Sequence, residues 1–88
     1  MVIHFYIDPG HGWAKVPRKL LAKLGIEREI TPYSYQRGGF VYLAEDCDLG
    51  TLLSALRSQG VEPDLRRHHA DKRSKIRSYA SYIPLIND

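Results

Sequence analysis

An α+β sandwich, with two helices covering one face of an antiparallel sheet, is the fold class this sequence predicts, and three observations carry it. Residues 1–7 alternate side chains with the period of a half-buried strand. Two leucine-rich stretches repeat at helical spacing, each closing near a glycine. Between them, two β-rich segments flank the pair Gly38-Gly39.

In the first segment Ile3, Phe5 and Ile7 fall on one side and Val2, His4 and Tyr6 on the other. Asp8-Pro9-Gly10-His11-Gly12 is dense in turn formers and reads as a loop, with Trp13 either a lid over the first helix or an exposed anchor. Pro17 suits a first helical turn, and Leu20, Leu21 and Leu24 follow it at i+3, i+4 and i+7 before Gly25 stops the helix. Arg18, Lys19 and Lys23 are expected to face solvent.

Residues 30–36 and 40–44 form the expected hairpin, turning at Gly38-Gly39, with Pro32 marking an edge strand. That turn sets Arg37 opposite Phe40, Gln36 opposite Val41 and Tyr35 opposite Tyr42. One side then shows Tyr33, Tyr35, Arg37, Phe40 and Tyr42, while Val41 and Leu43 share the other with Ser34 and Gln36. Asp46 or Asp48 is the expected cap of the second helix, whose stripe is Leu49, Leu52, Leu53 and Leu56. Residues 61–69 read as a last strand, and Tyr79 to Ile83 reads equally as helix or strand. The resulting order, β-α-β-β-α-β over a single domain of residues 1–88, is that of a ferredoxin-like sandwich with a basic C-terminal extension.

A chain of 88 residues buries only roughly 60 to 65% of its unfolded surface, which leaves little room for a deep cleft. Its apolar content of 43% is that of an ordinary globular domain. The longest apolar runs are short and the start lacks the pattern of a signal peptide, so a cytoplasmic protein without membrane association is expected. The lone Cys47 fits a reducing compartment, and Glu45, Asp46 and Asp48 around it oppose thiolate formation. Adjacent His68 and His69 point to opposite faces of a strand and do not share an ion. No catalytic constellation, metal site or cofactor motif emerges, and a non-enzymatic protein is expected.

The net charge of +3 is mild, but its distribution is not: Arg66, Arg67, Lys72, Arg73, Lys75 and Arg77 stand against one Asp71 in that stretch. With Tyr79 and Tyr82 nearby, this segment combines charge with stacking surface, as single-stranded nucleic acid requires. The aromatic row of the hairpin offers the same chemistry if the C-terminal segment leaves it open. The candidate binding residues are therefore Tyr6, Tyr35, Arg37, Phe40, Tyr42, Arg66, Arg67, Lys72, Arg73, Lys75 and Arg77.

The run Arg37, Gly38, Gly39, Phe40, Val41, Tyr42, Leu43 resembles the strand-three motif of the RNA-recognition-motif family with its first aromatic deleted and Leu43 in place of its last. Phe5, Tyr6 and Ile7 are similar to that family's first strand, and residues 40–60 to its second half. The resemblance implies that Tyr6 and Phe40 stack on bases. As a whole the chain, with its Asp-Pro-Gly-His-Gly-Trp and Glu-Asp-Cys-Asp segments, also resembles small accessory proteins of bacteriophages and plasmids. That likeness implies a protein-binding inhibitor or adaptor acting on a host complex, the alternative to nucleic-acid binding. The loop at Asp8 to Gly12 is similar to the first zinc-ligand loop of N-acetylmuramoyl-alanine amidases, which would make Glu27 and His69 further ligands of a hydrolase. Residues 15–26 also resemble swapped-hairpin transcription factors of the AbrB type.

Overall fold

The computed structural model describes residues 1–85. Strands β1 (Val2–Asp8), β2 (His11–Pro17), β3 (Tyr35–Arg37), β4 (Phe40–Ala44), β5 (Asp64–His69) and β6 (Ala80–Ser81) form one mixed sheet in the order β5-β1-β2-β4-β3-β6. Helices α1 (Arg18–Leu24) and α2 (Asp48–Ser58) pack into the same core on one face of it. The α+β class is as expected. The sheet is not the four-stranded antiparallel one, because an additional strand lies at its centre.

That strand is β2, whose first residues, His11 and Gly12, read as loop and whose last, Pro17, reads as the first turn of α1. Proline at its end and two nearby glycines lower its strand propensity. Its alternation is nevertheless regular: Gly12, Ala14 and Val16 face the helices, and His11, Trp13, Lys15 and Pro17 face away. Gly12 has a steric reason, since a Cβ there would lie 2.6 Å from the Phe5 ring. With β2 inserted between them, β1 and β4 run parallel to one another. The crossover through α2 returns β5 parallel to β4, and β5 therefore pairs with β1 in parallel. One inserted strand thus converts an antiparallel sheet into a mixed one.

The hairpin follows the expected register, with Tyr35 opposite Tyr42, Gln36 opposite Val41 and Arg37 opposite Phe40, and Gly38 turns at φ 59°. Its first strand is shorter than expected, and β6 pairs with it, so it is not the sheet's edge. Residues 31–34 leave the sheet because Asp48 holds them: its carboxylate accepts from the Thr31 N–H at 3.0 Å, from the Thr31 hydroxyl at 2.8 Å and from the Ser34 hydroxyl. Asp48 consequently does not cap α2. Cys47 occupies the cap position and makes no side-chain capping bond, and neither does Asp46.

The main core joins Ile3, Phe5, Ala14, Val16, Val41 and Leu43 of the sheet to Leu21, Leu49, Leu52 and Leu56 of the helices. Tyr82 belongs to it too. Its hydroxyl donates to the Glu27 carbonyl at 2.7 Å and the Arg18 guanidinium lies over its ring, so Tyr82 is core rather than the stacking surface expected. Arg18 is likewise not free: it donates to the Ile83 carbonyl at 2.9 Å and to the Gln36 side chain.

Candidate nucleic-acid interface

The alternation of β1, β2 and β4 sends Tyr6, Trp13, Lys15, Phe40 and Tyr42 to the face opposite the helices, together with Tyr35 and Arg37 of β3. Half of that face is roofed. After β5 the chain turns back, and a short helical turn, Lys75–Ser78, lays Ile76 against Trp13 and Tyr42, with Tyr6, Tyr35 and Tyr79 around them. Trp13 is 1% exposed and Tyr42 8%. The Tyr42 and Tyr79 rings meet at 5.1 Å, and burial with the neighbouring Tyr79 pushes the Tyr42 hydroxyl above the ordinary phenol range.

Asp8 holds the roof in place. Its buried carboxylate accepts from Arg77 Nε at 2.7 Å, Arg77 Nη2 at 2.9 Å and the Ser74 N–H at 2.9 Å. It also accepts the N–H groups of Gly10 and His11, both at 3.0 Å, which closes the turn between β1 and β2. The Arg77 guanidinium foremost, then the Ser74 and Gly10 N–H groups, hold the Asp8 carboxyl far below the usual carboxylate range. Arg77, grouped in the sequence with the other cations of its segment, is directed inward and lies 5.1 Å from the Trp13 ring centre.

The other half of the face is open. Across the strands runs a row of Arg66, His4 and Lys15, set by the pairing of neighbours, which continues beneath the roof as Tyr42 and Tyr35. Lys15 Nζ sits 4.3 Å from the centre of the Phe40 ring, which is 40% exposed. Tyr6, half-buried, stacks on His68 at 4.9 Å. Between this row and the roof lies a hollow of about 220 Å³ lined by Tyr6, Lys15, Tyr42, Lys75 and Tyr79. Arg37 flanks it with its guanidinium 5.0 Å from the Tyr79 ring.

The remaining cations frame this surface unevenly. Arg66 is paired with Asp64 at 3.0 Å. Arg67, Lys72, Arg73 and Lys75 are exposed and form no ion pair among the described residues. Arg67 alternates to the helix side of edge strand β5, while the three others lie on the connection to the roof and its first turn. The structure thus gathers Tyr6, Phe40, Arg37 and Lys75 about one open surface, buries Tyr42 beneath the roof and half-buries Tyr35. Sequence reasoning passed over Lys15, His4 and His68. Lys15 escaped because its strand, β2, was hidden, and the histidines meet only through the parallel pairing of β1 and β5.

A second concavity, of about 460 Å³, is lined by His11, Trp13, Thr31, Tyr33, Tyr35, Asp46 and Cys47, with His11 Nδ1 3.6 Å from Asp46. Among the described residues no three His, Cys, Asp or Glu side chains converge, so His11, Glu27 and His69 do not assemble the ligand set of a zinc hydrolase. None of the described helices is long and apolar enough to cross a membrane. No protein-family model, curated protein or solved structure matches this chain.

Proposed function

We propose that this protein is a non-enzymatic module that binds single-stranded nucleic acid across the unroofed half of its second sheet face. The observation that carries the reading is that two lysines, Lys15 and Lys75, line one hollow with Tyr6, Tyr42 and Tyr79, while the Lys15 ammonium lies over the exposed Phe40 ring beside it. Cations that follow a phosphate backbone next to rings that take bases are the two ingredients of sequence-tolerant single-strand binding. Lys72 and Arg73 extend the positive surface toward β5, whereas Arg67 lies on the helix side. The likeness of the hairpin to the RNA-recognition motif supports the same surface, with Phe40 and Tyr6 as its stacking residues. Fluorescence anisotropy of a labelled single-stranded oligonucleotide over a salt series tests the proposal. Affinity should fall with salt at a log–log slope of about −0.7 per phosphate neutralised. Binding unaffected by Phe40→Ala and Arg73→Ala together rejects it.

A protein partner is the second reading, in line with an accessory role in a mobile element. A groove of about 530 Å³ favours it, lined by Met1, Val2, Val16 and Leu20 and rimmed by Lys15, Lys19 and Lys23. Such a surface suits an acidic amphipathic segment. Capture of that partner from nuclease-treated lysate, lost on Leu20→Asp, separates the two readings.

A further inference from the structure

Strand β5 is the outer strand of the sheet, paired only with β1, and the phase of that pairing decides which of its peptide groups are used. In a parallel pair, every second residue points both its N–H and its C=O at the neighbouring strand. The Asp64 N–H donates to the Met1 carbonyl at 2.8 Å and the Ala70 N–H to the Ile7 carbonyl at 2.9 Å, so the residues facing β1 are Asp64, Arg66, His68 and Ala70. Leu65, Arg67 and His69 therefore direct their N–H and C=O groups away from the sheet. Among the described residues no other backbone group pairs with them. This edge is six residues long with no proline or glycine inside it, whereas the opposite edge, β6, has two residues.

We propose that this edge accepts an extended acidic segment of a partner protein as an added strand. Unpaired peptide groups along a strand are the template for such pairing, and the main-chain bonds supply its affinity. Charge selects the occupant. Arg66 and Arg67 point to opposite faces of the sheet, and Lys72 and Arg73 follow on the connection. Two copies pairing antiparallel about Arg67 would set Arg67 against Arg67 and Arg66 against His68, and pairing about Arg66 would set Arg66 against Arg66. Like charges thus oppose a second copy of this edge. A segment with carboxylates at alternate positions meets Arg67 on the helix side or Arg66 on the other, whichever way its register falls. Leu65, half-buried on the helix side, offers an apolar neighbour. The added strand lies at the margin of the sheet, apart from the hollow lined by Lys15 and Lys75, and does not depend on nucleic acid binding there.

The probe is a capped peptide of alternating glutamate and valine, about eight residues long so that it spans β5, added to the isotope-labelled 88-residue protein. Amide hydrogen exchange should slow by about tenfold or more at Leu65, Arg67 and His69, while Arg66 and His68, already bonded to β1, change little. Arg67→Pro removes one outward N–H and no bond to β1, a substitution that an edge strand tolerates, and should weaken peptide binding about tenfold. Arg67→Gln keeps that N–H and should weaken binding less. A lysine–valine counterpart should not bind. Absence of binding by the glutamate peptide overturns the proposal, and so does binding that leaves exchange at the three outward amides unchanged. Equal affinity for the lysine–valine peptide rejects the acidic partner. Displacement of the glutamate peptide by a single-stranded oligonucleotide, with affinity unaltered in Arg67→Pro, also overturns the proposal and assigns the edge to nucleic acid.

Discussion

Arg77 donates from Nε to Asp8 at 2.7 Å across 69 residues of sequence, and this one contact ties the C-terminal segment to the turn that opens the sheet. It decides which part of the aromatic face is covered. Arg77→Ala should loosen the roof over Trp13, the only tryptophan, which is now 1% exposed. A red shift of its emission and faster quenching by acrylamide are the expected result. Emission identical to wild type would show that Ile76 and Tyr79 hold the roof without the ion pair.

The same carboxylate sets a pH dependence. The Asp8 pKa is lowered in the folded protein, chiefly by the Arg77 hydrogen bonds and then by the Ser74 N–H. Its contribution to stability is therefore complete above the unfolded aspartate value of about 3.9 and is lost progressively as pH falls below it. Urea midpoints of wild type and Asp8→Asn should differ at neutral pH and converge in acid. A difference independent of pH would contradict the assignment.

Gly12 tests the central position of β2. A methyl group there would meet the Phe5 ring at 2.6 Å, and Gly12→Ala should cost about 1 to 3 kcal/mol by overpacking. Denaturant unfolding measures this, and Phe5→Leu in the Gly12→Ala background should recover part of the loss. Full stability of Gly12→Ala would mean that the strand is placed otherwise.

Asp48 predicts a second effect on stability. Removing its carboxylate leaves the Thr31 N–H and the buried Ser34 hydroxyl without their acceptor. Asp48→Ala should cost about 1 to 3 kcal/mol, read from the urea midpoint. Asp46→Ala, at an exposed neighbouring position, should be close to neutral.

Much of this architecture was legible in the residues, and the failures have physical causes. The alternation of residues 1–7 and the Gly38-Gly39 turn specify local pairing, so β1 and the hairpin register follow from sequence. The β2 strand was hidden because Gly12 and Pro17 carry loop propensity, while the reason for Gly12 is the Phe5 ring in another strand. Asp48 resembles a helix cap at a helix start, and only the returning segment at Thr31 gives it a different task. The candidate surface was half legible. Phe40 and Tyr6 follow from alternation, but the roof over Tyr42 depends on a contact between Asp8 and Arg77 that no local pattern encodes.

The proposed interface makes a claim about which atoms a nucleic acid touches, and amide chemical-shift mapping during titration with a single-stranded oligonucleotide tests it most directly. The account expects the largest shifts at Tyr6, Lys15, Phe40 and Lys75, with smaller ones at Lys72 and Arg73. Shifts confined to the groove around Met1, Val2 and Leu20, or no shifts at low salt, would contradict it.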